Sequence, residues 1–214
     1  MLMDGSRGSQ LSGRRAEAAR NDLRILEAAR RVFIADPEAP IAAVAEQAGV
    51  GISALYRRYR SKEDLLRRLC ADGLAVYTAE VERALAAETD VWTAFASFMR
   101  RVVEADTHSL TLRLAGTFAP TDELYRESVR SGHLTQELLD RAKAAGVIRP
   151  DLEVADLGLL FEQAAAVRVS DSGRTSQLRQ RYLKLLLDAL GMADAPPLPG
   201  PAPSWDEISG RWDT

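Results

Sequence analysis

The 214-residue chain has few of the residues that form disulfides, metal sites or membrane spans. Its single cysteine, Cys70, excludes an intrachain disulfide and a cysteine-based zinc cluster, which suits a reducing compartment. Only two histidines are available for metal binding or acid–base catalysis, and we expect no metal site. No apolar run resembles a signal-peptide core or reaches the roughly twenty residues of a membrane span. We therefore expect a cytoplasmic protein without membrane contact.

Proline and strand-forming patterns are scarce as well. Five of the nine prolines lie in the segment 196–203, so residues 21–190 are almost free of helix breakers and are rich in Ala, Leu, Arg and Glu. No Asn-Gly or Asp-Gly pair joins two alternating apolar runs, which is the strongest short-range signal of a β-hairpin. The sequence therefore predicts an all-α protein.

Apolar residues at helical spacing predict nine helices. Their approximate ranges are 21–35, 41–48, 52–59, 61–87, 90–105, 108–116, 121–145, 153–169 and 174–190. Asp36-Pro37 ends the first helix, and the capping Ser61 opens the long fourth one. The predicted organisation is a flexible basic arm over 1–20, a three-helix domain over 21–66, a larger helical domain over 67–191 and a proline-rich tail over 192–214.

The formal net charge of −3 is unevenly distributed along the chain. Residues 1–70 carry a net charge of +4, whereas residues 71–214 carry −7. A basic N-terminal part therefore suits a polyanionic partner, and the acidic remainder does not. The N-terminal arm contains Arg7, Arg14, Arg15 and Arg20. This arm could follow a DNA minor groove or be a solvated tail.

The most informative stretch runs from Ile41 to Leu66, where two helices of about eight residues meet at a glycine turn. Helices this short are unstable alone and must pack on a third helix. The residues expected to form the shared core are Phe33, Val44, Ala48, Leu55 and Tyr59. Because Leu55 and Tyr59 face inward, the helical period directs the opposite face of the 52–59 helix outward.

That outward face combines side chains that can recognise DNA. The residues on it or beside it are Ile52, Ser53, Tyr56, Arg57 and Arg58. An aliphatic group can contact a thymine methyl, a hydroxyl can bind a base edge or a phosphate, and a guanidinium can bind guanine or phosphate. Lys62 lies at the N-terminus of the next helix, where backbone amides also favour a phosphate. The alternative is a solvated basic face on an ordinary helix pair.

The stretch AVAEQAGVGISALYRRYRSKEDLL resembles the N-terminal helix-turn-helix of TetR-type transcriptional regulators. The residues that match this signature are Val44, Ala45, Ala48, Gly49, Val50, Leu55, Tyr56, Lys62 and Leu65. Two positions differ from the family pattern. Pro40 stands where a capping Ser or Thr usually touches phosphate, and Tyr59 replaces the usual Phe, so its hydroxyl needs a partner at the edge of the core.

This resemblance implies a ligand-responsive regulator, most often a repressor, that binds a palindromic DNA operator as a homodimer. The residues that it implies read bases are Gly51, Ile52, Ser53 and Ala54. It further implies that Tyr56 and Lys62 bind phosphates, that the last two helices form the dimer and that the body holds an effector pocket. The aromatic and apolar side chains of the body, taken as a set, predict that this effector is small and largely apolar. The competing interpretation is a helical protein-interaction module of the anti-repressor type, without DNA binding. Enzyme motifs are missing, and we expect neither catalysis nor a cofactor.

The candidate residues of the body fall into two sets. Those expected at the dimer interface are Leu157, Leu160, Phe161, Leu178, Tyr182 and Leu185. Those expected to line the effector pocket are Phe95, Phe98, Met99, His108, Thr111, Leu112, Phe118, Tyr125, Phe161 and Gln163. Each pocket candidate also fits an ordinary core, capping or surface role. Cys70 is expected to be a buried structural thiol.

The tail carries Trp205 and Trp212 after its proline-rich stretch. Two tryptophans are unusual in a freely solvated segment. The tail could be flexible, or it could be an arm that docks on the body or on a partner subunit.

Overall fold

The computed structural model contains helices and no strand over the residues that it describes, which are 5–114 and 116–210. Side chains are described for these residues except 5–16, 18, 111–113, 205 and 209. The all-α prediction is therefore confirmed. The chain divides into two compact units, Met1–Leu69 and Cys70–Thr214, close to the boundary predicted after residue 66. No helix in the described ranges combines the length and the apolar character needed to cross a membrane.

Ten helices follow one another in the described part of the chain. They are α1 (Gly5–Ala35), α2 (Ile41–Ala48), α3 (Ile52–Arg58), α4 (Lys62–Leu85), α5 (Val91–Ala105), α6 (Thr107–Leu114), α7 (Asp122–Ala144), α8 (Val154–Ala166), α9 (Ser172–Leu190) and α10 (Trp205–Ser209). Helices α2 to α9 lie where the periodicity predicts them. The first and the last helix differ from the prediction.

Helix α1 begins at Gly5 rather than near residue 21. The stretch RRAEAAR over 14–20 lacks apolar periodicity, but it consists of strong helix formers and continues without a break into the periodic segment. Intrinsic propensity thus extends the helix over 14–20, whereas the Gly- and Ser-containing residues 5–13 are poor helix formers and their helix has no such explanation. Of the four arm arginines, only Arg20 has a described side chain, and it is exposed.

The missed helix is α10, in the proline-rich tail. Ser204 accepts a hydrogen bond from the Glu207 backbone N–H at 3.2 Å, and the Glu207 carboxylate accepts one from the Ser204 N–H at 2.6 Å. This reciprocal capping box starts a helix after Pro203. The Ser-x-x-Glu spacing was the sequence signal that could have predicted it.

The first unit is held together by a small core between α1, α2 and α3. All five residues predicted for this core, which are Phe33, Val44, Ala48, Leu55 and Tyr59, are buried. Leu65 and Leu66 at the start of α4 are buried too. The seven-residue helix α3 therefore owes its stability to tertiary packing, as its length requires.

The second unit packs α5 against α7, α8 and α9, and α6 against α8. Its core contains Phe95, Phe98, Met99, Leu139 and Phe161, all of which are almost inaccessible to solvent. A buried arginine on α9 ties two helix ends into this core. Arg179 donates to the carbonyls of Ala165 and Val167 at the end of α8 and pairs with Asp106 before α6, with a nitrogen–oxygen distance of 2.7 Å.

Candidate nucleic-acid interface and ligand cavity

The turn that places α3 depends on Gly49. This residue has a φ of +64°, in the left-handed region that favours glycine, and the Val50 N–H closes the turn on the Ala45 carbonyl. Arg24 on α1 donates a 2.7 Å hydrogen bond to the Ala48 carbonyl and so fixes the end of α2. These two hydrogen bonds therefore hold the turn that precedes α3 in place.

The C-terminal end of α3 is fastened to α1 by Asp22. The Asp22 carboxylate accepts hydrogen bonds from Arg58 Nε at 2.7 Å, from Arg58 Nη2 at 2.8 Å and from the Tyr59 hydroxyl at 2.6 Å. The bonds from Arg58 hold the pKa of Asp22 below its ordinary value. Tyr59 is thus a core residue, as predicted, and its hydroxyl has found its partner at the edge of the core.

The opposite face of α3 is open to solvent. Ile52 and Tyr56 keep 40% and 48% of their surface exposed, although both are large apolar or aromatic residues. Gly51, Ser53 and Arg57 are exposed as well, and Ala54 is half-buried. The structure therefore brings six of the eight predicted DNA-binding residues to one accessible stretch of the chain.

The other two predicted contacts, Arg58 and Lys62, make bonds within the unit. Arg58 forms the bidentate pair with Asp22. Lys62 Nζ donates to the Pro37 carbonyl at 2.8 Å and lies 5.4 Å from the centre of the Phe33 ring. In this conformation both cations stabilise the helix arrangement, so a phosphate would have to compete with these partners. Pro40 stands at the N-cap of α2 without a side-chain capping bond.

The second unit contains a cavity of about 430 Å³, a size typical of small-molecule sites. Its wall is contributed by α4, α6, the start of α7, α8 and α10. The main lining residues are Cys70, Leu74, Tyr77, His108, Leu124, Tyr125, Ser128, Ser131, Thr135, Val154, Glu162, Asp206 and Ile208. The cavity is thus mostly apolar, with hydroxyl groups along α7 and two carboxylates.

Two aromatic residues of the wall connect the cavity to the core. The ring centres of Tyr77 and Phe98 lie 5.6 Å apart, and those of His108 and Phe161 lie 4.8 Å apart. Burial lowers the pKa of His108 to about 4, so its imidazole is neutral at pH 7. Burial also raises the pKa of Tyr77 to about 12, which keeps its phenol protonated.

The structure places only two of the ten predicted pocket residues, His108 and Tyr125, on this cavity. The aromatic and methionine side chains Phe95, Phe98, Met99, Phe118 and Phe161 are buried in the core instead, and Gln163 is exposed. These six residues do not line this cavity, because large apolar side chains pack against one another whereas small and polar residues leave the space; their role in effector binding stays a prediction. Thr111 and Leu112 have side chains outside the described residues.

The predicted dimer residues divide into two groups. Leu157 and Phe161 are buried within the protomer, and their assignment to a dimer interface stays a prediction. Tyr182 and Leu185 on α9 keep 49% and 60% of their surface exposed, and Leu160 and Leu178 are half-buried. A periodic pattern identifies an apolar helix but cannot tell which of its two faces meets the core of the same chain.

Cys70 lies in the cavity wall rather than in the closed core. The residue is half-buried, whereas a buried thiol was expected. Burial raises the pKa of the thiol to about 12, which keeps it protonated at neutral pH, and its structural role stays a prediction. Among the described residues, no group of three or more His, Cys, Asp or Glu side chains could hold a metal ion.

The proline-rich tail is anchored to the second unit by Arg149 and Asp151. Asp151 accepts bonds from Arg149 Nε at 2.6 Å and from the Leu198 backbone N–H at 2.7 Å, and Arg149 Nη2 donates to the Pro196 carbonyl at 2.8 Å. These bonds bring α10 to the cavity. Trp212 and the side chain of Trp205 lie outside the described residues.

Two family models match the chain. The model described as "Bacterial regulatory proteins, tetR family" matches residues 25–69, and the model described as "Transcriptional regulator SbtR-like, C-terminal domain" matches residues 90–192. The first contains α2 and α3, and the second contains α5 to α9. Among curated protein sequences, no match was found.

Several solved structures share the fold over most of their length. The TetR regulator SCO0520 of Streptomyces coelicolor is 27% identical, with 80% of this chain and 98% of that chain covered and a TM-score of 0.54. The regulator LfrR of Mycobacterium smegmatis, solved with proflavine, is 21% identical over 84% and 99% of the two chains, with a TM-score of 0.57. KstR2 of Mycobacterium tuberculosis, a ketosteroid transcriptional regulator, is 19% identical over 80% and 95%, with a TM-score of 0.59.

Proposed function

Because the chain belongs to the TetR family of bacterial regulatory proteins, we propose that it represses transcription as a homodimer on a palindromic operator. A small, largely apolar molecule that occupies the cavity of the second unit releases it from DNA. The family makes the chain a DNA-binding transcriptional regulator, not an enzyme. To this DNA-binding role the proposal adds three points: repression of transcription, a palindromic operator and a small-molecule effector.

The observation that carries the proposal is the exposed face of α3. An isoleucine and a tyrosine there have 40% and 48% of their surface in water. These side chains are open to a partner, and a major groove offers them thymine methyls and phosphates. Arg57, exposed on the same helix, supplies a cation for guanine or phosphate.

The homodimer is supported by Tyr182 and Leu185, which remain exposed on α9. A two-fold dimer would bring two copies of α3 to equivalent half-sites, and the operator would then be an inverted repeat. The proposal of a small-molecule effector is supported by the cavity, because this cavity is mostly apolar and has the volume of a small-molecule site. The bound proflavine of LfrR shows that a relative of this fold holds an aromatic molecule, and this adds support by analogy.

The test begins with selection of bound sequences from a random pool of DNA duplexes. We expect an inverted repeat whose half-site centres lie about one helical turn apart, or a multiple of it. Tyr56→Ala and Arg57→Ala are then compared with the wild type on the selected duplex. Each substitution should weaken binding about tenfold or more, since one base or phosphate contact contributes roughly 1–3 kcal/mol.

The matched control is Arg126→Ala, which removes an exposed arginine from α7. It should leave DNA affinity unchanged, and circular dichroism should show the same helix content in all variants. Lys62→Ala is a poor test because this lysine also binds the Pro37 carbonyl. Failure to select any DNA sequence would contradict the proposed function and favour a protein-interaction module.

A further inference from the structure

The cavity wall includes residues from a segment that the C-terminal family model does not reach. That model ends at residue 192, whereas Asp206 and Ile208 of α10 line the cavity. The segment is anchored before α10 by the bonds from the Leu198 N–H to Asp151 and from Arg149 to the Pro196 carbonyl. The position of α10 at the cavity therefore rests on defined contacts.

The hydroxyl groups of α7 face the cavity as hydrogen-bond acceptors. Ser128 donates its proton to the Tyr125 carbonyl at 2.8 Å, Ser131 to the Ser128 carbonyl at 3.0 Å and Thr135 to the Ser131 carbonyl at 2.8 Å. A hydroxyl has one proton, and the Thr135 oxygen already accepts a hydrogen bond from the Tyr77 hydroxyl at 2.9 Å. The Ser128 and Ser131 oxygens therefore offer only lone pairs to a ligand. They suit a ligand that carries N–H groups or positive charge.

The charges of the wall point to the same ligand chemistry. Glu162 and Asp206 contribute carboxylates, and none of the cavity-lining residues that the structure describes is a lysine or an arginine. His108, the remaining basic group of the wall, is neutral at pH 7 because it is buried. Glu162 is half-buried and Asp206 is exposed. A mostly apolar cavity that carries these two carboxylates favours a cation with an apolar body. The rings of Tyr77 and Tyr125 line the same cavity and add aromatic surface for the apolar body of the ligand.

We propose that the cavity binds an apolar organic cation, and that the C-terminal segment supplies Asp206 as one of two carboxylates that select for its positive charge. The inference rests on the proposed ligand-responsive function and narrows its effector to a positively charged class. It assigns to residues 193–210 a role in ligand selection. Glu162 belongs to the matched domain, whereas Asp206 belongs to the added segment.

The experiment compares two aromatic fluorescent probes of similar size and opposite charge, the cation ethidium and the anion 1-anilinonaphthalene-8-sulfonate. Each is titrated into the full-length protein without DNA. We expect ethidium to bind at least tenfold more tightly than the anion, and raising the salt concentration from 50 to 500 mM should narrow the difference. Equal binding of the two probes would overturn the proposal.

Asp206→Asn tests the contribution of the C-terminal segment. Because Asp206 is exposed, this substitution should weaken ethidium binding about two- to fivefold and leave binding of the anion unchanged or tighter. The matched control is Asp194→Asn, which removes an exposed carboxylate of the same segment that is not part of the wall. If the two variants bind ethidium equally, Asp206 does not select for charge and the proposal is wrong.

Glu162→Gln should lower ethidium affinity like Asp206→Asn, with Glu137→Gln, on the exposed side of α7, as its control. Thermal unfolding of every variant verifies that the fold is retained. The probe titrations contain no DNA, and DNA binding by the unliganded protein is measured without probe. Loss of charge selectivity with intact DNA binding therefore overturns this inference alone, whereas absence of DNA binding overturns the proposed function.

Discussion

Asp22→Asn is expected to loosen α3 because one carboxylate holds both Arg58 and Tyr59. An exposed ion pair contributes about 0–1 kcal/mol, and a hydrogen bond to a charged group inside a protein contributes about 1.5–3 kcal/mol. The pair lies between these cases, because the Asp22 side chain is 16% exposed and that of Arg58 is 56% exposed. We expect a loss of about 1–2 kcal/mol of local stability.

Amide hydrogen exchange measured on peptides gives the most direct assay. A loss of about 1–2 kcal/mol makes exchange in peptides covering residues 52–59 roughly 5–30 times faster. Peptides covering 91–105, in the second unit, serve as an internal reference and should not change. Glu27→Gln, an exposed substitution on the same helix α1, is the matched control. Equal exchange in the 52–59 peptides of both variants would refute the assigned role of Asp22.

The same pair decides what Arg58 contributes to DNA binding. If Arg58 acts only through Asp22, Arg58→Gln added to Asp22→Asn should weaken operator binding no further than either single change. If Arg58 also binds phosphate, the double variant should lose additional affinity and its salt dependence should become shallower. Tyr59→Phe, which removes only the 2.6 Å bond to Asp22, should have the smaller effect on exchange.

Three further results are expected. Gly49→Ala should lower the free energy of unfolding of the first unit by about 1–2 kcal/mol in urea, because a residue with a Cβ is strained at a φ of +64°. An unchanged free energy of unfolding would contradict the left-handed turn. Cys70, with its pKa near 12, should react with a disulfide reagent at pH 8 at least a hundredfold more slowly in the folded protein than in denaturant. The reaction rate of the folded protein should rise about tenfold per pH unit. Similar rates in the folded and the denatured protein would show that the thiolate is accessible. The pKa of Asp151 is lowered by Arg149 and by the Leu198 N–H, so this contact persists above the ordinary carboxyl range and weakens as the pH falls below it. Asp151→Asn should therefore speed exchange of the Leu198 amide at pH 7, whereas Asp194→Asn should not.

The helix-turn-helix was predictable because its signals are local. Gly49 marks the turn, Leu55 and Tyr59 identify the inward face, and a four-residue spacing places Ile52 and Tyr56 on the other side. The internal partners of Arg58 and Lys62 were not predictable in this way. Asp22 is 36 residues from Arg58, and Pro37 is 25 residues from Lys62, so only the folded chain shows these contacts.

The cavity was beyond sequence reasoning for a different reason. The predicted pocket residues were mainly aromatic, but Phe95, Phe98 and Phe161 are buried and fill the core, so they do not leave an open cavity. Serine, glycine and alanine positions on α7 and α8 form much of the actual wall, and such residues carry no distinctive periodic signal. A cavity is the result of missing volume, whereas hydrophobic periodicity reports where volume is present.

The structure also shows a second role for the acidic residues in the C-terminal part of the sequence. The acidic surplus of residues 71–214 suggested only a body that DNA would repel. Two of those carboxylates, Glu162 and Asp206, instead line the cavity, and Asp151 anchors the segment that brings Asp206 there. The negative net charge of residues 71–214 therefore includes carboxylates that have different structural roles. Asp194 and Asp206 are both exposed, but only Asp206 lines the cavity. Substituting either one changes the net charge equally, so a difference in cation binding between the two variants separates the effect of position from that of total charge.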